Sequence, residues 1–247
     1  SYTVGFKPGG SNLTYGFTET EDAEMGNAIA PPLVFPTFES ETITAYELGL
    51  KTDLLDGRVR ANIAAFLYDY EDLQFQATDP DVFRGGVANI PESEMKGLEI
   101  EFLALLSESW SLDVKMAFLD SEITGDYDTL DNVKAGPYFF GQEDIRYSLR
   151  ENINGNELAK SPDFTANASL SYQGDLASGH SLSGSLQVVH RGEFQQRVIN
   201  NTSIDKVNDY TLVNMVASVQ PANSNWGFSL MIFNVTDEDG VNSSMTD

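Results

Sequence analysis

The chain has 247 residues, and 14 Lys and Arg against 38 Asp and Glu give it a formal net charge of −24 at pH 7. This charge argues against a nucleic-acid-binding protein, because phosphate binding needs clustered Lys and Arg and the sequence has no basic stripe. The sequence has no cysteine and only two histidines, which excludes disulfides, cysteine metal ligands and nucleophiles, and a multi-histidine metal site.

Nothing in these residues resembles a secretory leader, and no apolar run reaches about 20 residues, the length that a membrane-spanning helix needs. Apolar and polar residues alternate in short segments instead, as in 42–54, where Tyr46 and Leu48 alternate with Glu47 and Gly49. Successive strand residues point to opposite faces, so this alternation predicts strands with one apolar and one polar face. The predicted strands are 2–6, 42–54, 58–69, 94–106, 111–118, 164–172, 181–188, 213–219 and 226–232.

The connections between these strands alternate strictly between short and long. The short ones are 55–57, 107–109, 174–179 and 220–225. The long ones are 8–41, 76–91, 121–160 and 192–208. Asp56 and Gly57 in the first short connection suit the positive φ angles of a hairpin turn. The pattern is typical of an antiparallel up-and-down transmembrane β-barrel, with short periplasmic turns and long extracellular loops.

A soluble β-sandwich that binds a ligand is the alternative fold. Its strands are shorter, and its long loops fall at both ends. Charged residues inside the predicted strands, such as Glu99 and Lys115, suit a water-filled barrel interior better than a sandwich core. Trp110 and Trp226 each follow a short turn, where a barrel carries an aromatic girdle at the periplasmic interface. These features favour the barrel.

Six segments, in family order along nearly the whole chain, resemble the β-barrel of TonB-dependent receptors. They are Gly5-Phe6-Lys7-Pro8-Gly9-Gly10 with Asn12, the strand Tyr46-Glu47-Leu48-Gly49-Leu50-Lys51, the hairpin 55–74, the strand Lys96-Gly97-Leu98-Glu99, the segment Leu158-Ala159-Lys160-Ser161-Pro162 and the segment Phe233-Asn234-Val235-Thr236-Asp237-Glu238. The fourth departs from the family pattern at Lys96, where the family has a small residue. The fifth resembles the pattern Leu-Pro-Asn-Ala-Pro at the start of a later strand.

The resemblance implies that residues 1–247 are a partial barrel domain, about nine strands of a barrel of about 22. The plug domain, the TonB box and the final strand are absent from it, and both ends are expected to continue in a longer chain. The implied function is an outer-membrane active-transport receptor that takes up a scarce nutrient, most readily a ferric siderophore or similar chelate. The implied partners are outer-membrane lipid, the receptor's own plug domain, a TonB-type energy-coupling protein and a small nutrient ligand.

A passive outer-membrane porin or glycan channel is the alternative with the same fold. We expect no enzymatic activity and no cofactor, because neither His180 nor His190 has the sequence setting of a catalytic base. A complete sequence with a plug domain would distinguish the receptor from the porin.

Two groups of candidate site residues follow from this interpretation. Charged residues on the polar strand faces are expected to line the lumen and hold the plug: Glu47, Lys51, Arg60, Glu99, Glu101, Asp113 and Lys115. Aromatic and Arg side chains in the long loops are the candidate ligand contacts: Phe35, Phe38, Phe83, Arg84, Tyr138, Phe139, Phe140, Arg146 and Arg191. The alternative for the second group is that the loops pack on one another through these residues.

Asp126, Asp128 and Asp131 are spaced closely enough to suggest a calcium loop, because neighbouring carboxylates can wrap a hard cation. The spacing lacks the glycine and the terminal glutamate of an EF-hand. The sequence therefore leaves the acidic loops as solvated surface or as a calcium site.

Overall fold

The computed structural model describes residues 1–12, 35–81, 83–138 and 143–240. Strands dominate these residues, and none of the helices among them is long and apolar enough to cross a membrane. The strands are β1 (Tyr2–Lys7), β2 (Gly10–Ser11), β3 (Thr37–Phe38), β4 (Glu41–Leu54), β5 (Val59–Thr78), β6 (Gly85–Leu105), β7 (Trp110–Ile123), β8 (Asp128–Leu130), β9 (Arg150–Asn152), β10 (Phe164–Asp175), β11 (Ser181–Arg191), β12 (Phe194–Gln195), β13 (Lys206–Val207), β14 (Tyr210–Gln220) and β15 (Phe228–Ile232). The helices are α1 (Asn132–Ala135) and α2 (Glu143–Ser148).

Nine of these strands form one antiparallel sheet in the order β1-β4-β5-β6-β7-β10-β11-β14-β15. Each long strand pairs with the next long strand along the chain, so the sheet is an up-and-down meander. Three two-stranded sheets, β2-β3, β8-β9 and β12-β13, lie in the long connections. All nine predicted strands are confirmed. The sandwich alternative is wrong, because a sandwich needs two packed sheets and these nine strands form a single one.

The turn at 55–57 has the backbone that its sequence predicts. Leu55, Asp56 and Gly57 have φ angles of 55°, 56° and 82°. Arg58 N donates a hydrogen bond to Leu55 O at 3.2 Å and closes the turn. These left-handed residues twist the chain in the sense that a tight hairpin between β4 and β5 requires.

The prediction of a long connection at 76–91 is wrong. β5 and β6 continue through it and pair as far as Thr78 and Gly85, so only 79–84 connects them. The two strands have 20 and 21 residues. At about 3.3 Å per residue they are longer than a bilayer requires, so this hairpin extends beyond the membrane on the loop side.

Pro91, the last residue of the predicted connection 76–91, occupies a position in the strand ladder. It stands opposite Asp72, the one position along this hairpin where no backbone pair forms, and a proline has no N–H to donate. Asn89 Nδ2 donates to Asp72 O at 2.7 Å instead. Asp72 has a φ of 55°, and beyond it Leu73 and Phe75 turn to the polar side of the sheet, where they pack against a buried cluster.

One face of the nine-stranded sheet is apolar across its width. A single row of the register contains Leu50, Ile63, Ile100, Met116 and Ala166. Leu48 on this face is 80% exposed, which requires an apolar environment outside the chain. On β5 the apolar residues run from Val59 to Leu67, about 30 Å along a strand and about 23 Å along the normal at a tilt of about 40°, close to the band of about 25 Å in outer-membrane barrels. Beyond this band the same face carries Asp69 and Glu71.

Aromatic rings lie at both ends of this apolar face. At the turn end, Trp110 is in register with Tyr172, and their ring centroids are 5.0 Å apart. At the loop end, the rings of Phe118 and Phe164 have centroids 4.8 Å apart. Trp226 lies just before β15 and is exposed, although the sequence placed it inside that strand. The rings occupy the levels at which barrels carry interfacial girdles.

The described parts of the long connections 124–163 and 192–209, which leave out 139–142, fold onto the extended β5–β6 hairpin and form what we call the loop cap. Its buried cluster contains Ile90, Ile123, Ile153, Leu158 and Ile199. The rings of Phe75 and Tyr127 pack against the cluster in an edge-to-face contact, with centroids 5.5 Å apart. The loop cap therefore has its own apolar core, separate from the apolar outer face of the sheet.

Candidate functional site

The register places all seven predicted lumen residues on the polar face of the sheet. One row across the strands contains Lys51, Asn62, Glu101, Lys115 and Asn167. The remaining members lie in neighbouring rows of the same face, and these are Glu47, Arg60, Glu99 and Asp113. The sheet brings these side chains together on one surface, and their contact with a plug stays a prediction.

Several of these charges are held by neighbours on adjacent strands. Tyr68 Oη donates to Glu47 Oε1 at 2.9 Å, and Asn62 Nδ2 donates to Glu101 Oε2 at 3.0 Å. The ion pair of Arg60 with Asp53 is 2.8 Å long and exposed to water. Ser1 Oγ donates to the second oxygen of Glu47 at 3.1 Å, whereas Glu101 keeps its second oxygen for an incoming donor. A free carboxylate oxygen of this kind is what a charge-assisted contact to another domain needs.

Amide side chains follow one another along the polar face of β10, β11 and β14. Gln187 Nε2 donates to Asn167 Oδ1 at 3.3 Å, and Asn214 Nδ2 donates to Gln187 Oε1 at 3.1 Å. The backbone N–H of Asn234 donates to Asn214 Oδ1 at 2.9 Å. This chain of neutral amides is absent from the predicted site residues. Its signal in the sequence is an Asn or Gln at a polar position of each strand, but the register is needed to join them.

The interpretation of Arg146 as a ligand contact is corrected by its burial. The residue is 1% exposed, and its guanidinium donates to three backbone carbonyls, those of Pro80, Asp81 and Tyr138. These carbonyls belong to the tip of the β5–β6 hairpin and to the segment before α2. Arg146 therefore fixes the hairpin tip to the loop cap and has no surface for a ligand.

The other described candidates in the loops also make contacts within the chain. The Arg191 guanidinium lies 4.1 Å from the centroid of the buried Phe194 ring. The Phe38 ring packs over Gly10, where an added Cβ would come within 2.8 Å of Phe38 Cζ. Phe35 is half-buried, and its carbonyl accepts a hydrogen bond from Asn12 Nδ2 at 2.7 Å. These contacts agree with the alternative that the loops pack through these residues.

The remaining candidates lie at the hairpin tip and before α2. Phe83 and Arg84 are half-buried at the tip, where Asp79 N donates to Arg84 O at 2.9 Å. Tyr138 is half-buried and close to the Arg146 side chain. Phe139 and Phe140 lie outside the described residues. A ligand contact at any of these positions stays a prediction.

The three carboxylates suggested for calcium do not form one site. Asp126 accepts from Asn154 Nδ2 and Asp128 accepts from Asn152 Nδ2, each at 3.0 Å. Asp131 is buried and accepts from the Val133 and Lys134 amides at the start of α1. Among the described residues, no three His, Asp or Glu side chains are placed to hold a metal ion.

Arg197 joins the two loops of the cap. Its Nε and Nη2 donate to the carboxylate of Asp205, and its Nη1 donates to Asp131 Oδ1 and Asn132 Oδ1 at 2.8 Å each. Asp131 and Asp205 are 0% and 1% exposed. Asp131 also lies 3.6 Å from Lys134 Nζ. This clamp was not predicted, because separate Arg and Asp residues in two long loops give no sequence signal of pairing.

The clamp shifts the pKa values of Asp131 and Arg197. Burial opposes the charged form of Asp131, but the hydrogen bond and charge of Arg197 outweigh it and lower the pKa of that carboxyl. Burial likewise opposes the charged form of Arg197, but the hydrogen bonds to Asp205 and Asp131 outweigh it and raise the pKa of the guanidinium. Both groups are therefore held in their ionised forms.

Glu157, in the loop cap, is in the opposite situation. Partial burial raises the pKa of its carboxyl, and the charges of Asp163, Glu193 and Asp120 raise it further, against the opposing effect of Lys206. The ionised form is thus disfavoured in the folded cap. This unfavourable contribution is present above the folded pKa and disappears as the pH falls below it.

We therefore expect Glu157→Gln to stabilise the loop cap at pH 7 by a few tenths of a kcal/mol, a small effect because the side chain is exposed and screened. The gain will fade as the pH falls through the folded pKa of Glu157. Proteolysis rates of 124–163 at pH 7 and at acidic pH measure it. Glu151→Gln is the control, because it removes an ion pair with Lys134 and will not stabilise the cap. Equal or faster cleavage of the Glu157 variant at pH 7 would contradict the charge repulsion.

Cavities open on the polar face of the sheet and in the loop cap. One, of about 430 Å³, lies on the polar face of the sheet and is lined by Glu99, Glu101, Lys115, Arg191 and Tyr210 among others. The second, which we call the cap cavity, has about 470 Å³ and lies between the hairpin tip and the two loops of the cap. Both volumes fall within the range of small-molecule sites, about 300–1,000 Å³.

Curated relatives share part of this sequence. The chain is 27% identical over 124 residues to the probable TonB-dependent siderophore receptor PiuA of Acinetobacter baumannii, a match that covers 50% of this chain and 15% of PiuA. It is 30% identical over 155 residues to the metal-pseudopaline receptor CntO of Pseudomonas aeruginosa, covering 60% of this chain and 20% of CntO. The matched segment is thus a fifth or less of the length of these relatives.

Solved structures match nearly the whole chain. The ferric yersiniabactin uptake receptor FyuA from Yersinia pestis superposes with a TM-score of 0.65 at 20% identity, covering 96% of this chain and 29% of that receptor. The siderophore receptor PiuA from Acinetobacter baumannii superposes with a TM-score of 0.63, also at 20% identity and with the same coverage. At this level of identity the likeness establishes the fold.

A family model extends the match along the sequence. The model of the TonB dependent receptor-like β-barrel matches residues 1–235. Members of this family are transport receptors of the outer membrane of Gram-negative bacteria. The chain therefore belongs to the TonB-dependent receptor-like β-barrel family.

Proposed function

We propose that this chain is part of the barrel of a receptor that takes up a metal chelate with energy from a TonB-type protein. The favoured chelate is a ferric siderophore. The names of the relatives support the substrate class, because PiuA is described as a siderophore receptor and CntO as a metal-pseudopaline receptor. Both names refer to organic ligands that carry a metal. The substrate class that they share is a metal chelate rather than a sugar or a free ion.

The observation that carries the proposal is the two-faced sheet. An apolar outer face suits contact with lipid. A polar face on which the register gathers seven charged residues suits contact with the receptor's own plug domain. Glu101, which Asn62 holds through one carboxylate oxygen, would accept a hydrogen bond from a cationic plug residue with the other. A wall built to hold a plug favours gated, energy-dependent transport over an open pore.

We also propose that the chain carries out no catalysis. His180 Nδ1 accepts a hydrogen bond from Ala222 N at 2.8 Å and so closes a turn. His190 lies on the apolar face, in register with Ala166, with Nδ1 2.9 Å from Thr211 Oγ1. Neither imidazole lies in a cleft where it could serve as a general base.

The test is uptake of labelled ferric chelates by cells that lack the gene and by cells complemented with the whole gene. We expect complementation to restore saturable uptake, with loss of transport when the proton-motive force is collapsed or the TonB-type protein is deleted. The control is a porin-permeant sugar, whose entry will not change.

A different kinetic pattern would contradict the proposal. Uptake that rises linearly with concentration, and continues after the proton-motive force is collapsed, would indicate the passive channel instead. Energy-dependent uptake of a glycan but of no metal chelate would agree with a receptor and would contradict the proposed substrate class.

A further inference from the structure

The cap cavity lies where the hairpin tip meets both loops of the cap. Its walls include Phe75 and Ala77 from β5, Ala159 and Lys160 from the first loop, and Ile199 from the second. The hairpin, α1 and the Arg197 clamp hold these walls in place. The cavity is therefore a structured recess in the loop cap with a partly apolar lining.

The charge of this recess differs from that of the rest of the chain. The chain has 38 Asp and Glu, yet no described residue that lines the cavity is a carboxylate. Lys160 and Arg197 are its charged lining residues, and neutral donors such as Gln76, Thr129 and Gln196 surround them. Asp131 and Asp205 neutralise Arg197, so Lys160 is the uncompensated charge of the lining, and it is positive in a protein whose net charge is strongly negative. Such a recess favours a ligand group that carries negative charge.

Lys160 is the cation that remains available. Of the six Lys and Arg side chains in the loop cap, five make an ion pair or hydrogen bond within the chain. The nitrogens of Arg197 are all engaged with the residues of its clamp. Among the described residues, the Lys160 ammonium has neither an ion pair nor a hydrogen bond. It can therefore offer its donors to a ligand without breaking an existing contact.

The backbone at Lys160 adds an independent argument. Its φ is 60°, a left-handed conformation in which Asn is enriched and Lys is uncommon, and its N–H is fixed to Gln195 O at 2.7 Å. The pattern that this segment resembles has Asn at the same place. The chain thus has Lys at a position where the backbone favours Asn, so the turn itself does not call for a lysine.

We propose that the cap cavity is a subsite for an anionic oxygen group of the metal chelate, with Lys160 as its charged contact. Carboxylate and catecholate arms have this chemistry, and the apolar wall of Phe75 and Ala77 packs against the body of the arm. The inference rests on the proposed function, since it specifies the charge of the same substrate class.

The test uses the intact receptor, purified in detergent, and two probes. One is a ferric tris-catecholate, which carries negative charge, and the other is a neutral ferric trihydroxamate. Lys160→Asn removes the ammonium while keeping a residue that suits the left-handed backbone, so the loop keeps its fold. Lys206→Ala is the control, because Lys206 pairs with Glu193 outside the cavity.

We expect Lys160→Asn to weaken binding of the tris-catecholate at least about tenfold, as loss of a charged hydrogen bond does, and to leave the trihydroxamate unchanged. Lys160→Arg will retain most of the affinity, and Lys206→Ala all of it. If Lys160→Asn binds the tris-catecholate as tightly as the wild type, the proposal of an anionic subsite at Lys160 is wrong, whereas the proposed binding of metal chelates is unaffected. If the wild-type receptor binds neither chelate, the proposed function fails and the subsite with it.

Discussion

A Gly97→Val receptor will fail to assemble in the outer membrane. A Cβ added at Gly97 would come within 2.5 Å of the Phe118 carbonyl oxygen and 2.5 Å of Phe66 Cζ. The carbonyl belongs to the backbone of the neighbouring strand β7, so the clash cannot be relieved by a side-chain rotation. We expect a loss of at least about 3 kcal/mol in stability, at the upper end of the cost of overpacking. Loss of the heat-modifiable band on gels and of protein from the outer-membrane fraction measures it.

The direction of this prediction is opposite to strand propensity, because valine is favoured over glycine in strands. Gly85→Val is the matched control on the same strand β6, since nothing lies within 4 Å of a Cβ at Gly85. We expect the control to assemble like the wild type. If Gly97→Val also assembles with an unchanged melting temperature, the close packing of Phe66 over Gly97 is not required for the barrel.

The strands and their faces were predictable from the sequence for a physical reason. Each long strand separates an apolar environment from a polar one, so the alternation is enforced at almost every residue, as in Tyr46 to Lys51. The same rule predicted that Glu99, Glu101 and Lys115 share a face. It holds for as long as the strand keeps an extended backbone.

The rule fails where one residue departs from that backbone. The positive φ of Asp72 turns Leu73 and Phe75 to the opposite side, and a left-handed Asp has no distinctive sequence signal. The predicted connection ended at Pro91, because proline marks a turn far more often than it occupies a strand position that needs no N–H donor. The predicted connection 76–91 was consequently too long.

The loop arginines show a second limit. Arg146 and Arg197 occur in similar polar surroundings in the sequence, yet both became structural residues. Two of the three carbonyls around Arg146, those of Pro80 and Asp81, and one of the two carboxylates around Arg197, that of Asp131, come from segments far away in the chain. Such partners are chosen by tertiary packing, which local spacing does not reveal.

Arg197→Ala will open the loop cap while the sheet below it stays folded. The substitution leaves the buried carboxylates of Asp131 and Asp205 without their guanidinium partner, which costs about 3–5 kcal/mol when a buried pair is broken. Because the cap has its own apolar core, the loss will appear as local opening. Hydrogen exchange will show faster exchange in 124–163 and 192–209 and unchanged protection in β10 and β11.

The pH dependence separates this charge effect from a general loosening. Since the pKa of Asp131 is lowered in the fold, its contribution is fully present above its ordinary value near 4 and is lost as the pH falls through the lower folded value. The difference between wild type and Arg197→Ala will therefore shrink in acid. Arg150→Ala is the control in the same cap, because Arg150 is exposed and donates to one carbonyl, that of Asp128. Equal exchange in all three proteins at pH 7 would mean that the apolar cluster alone holds the cap, and the cap cavity would then persist without the clamp.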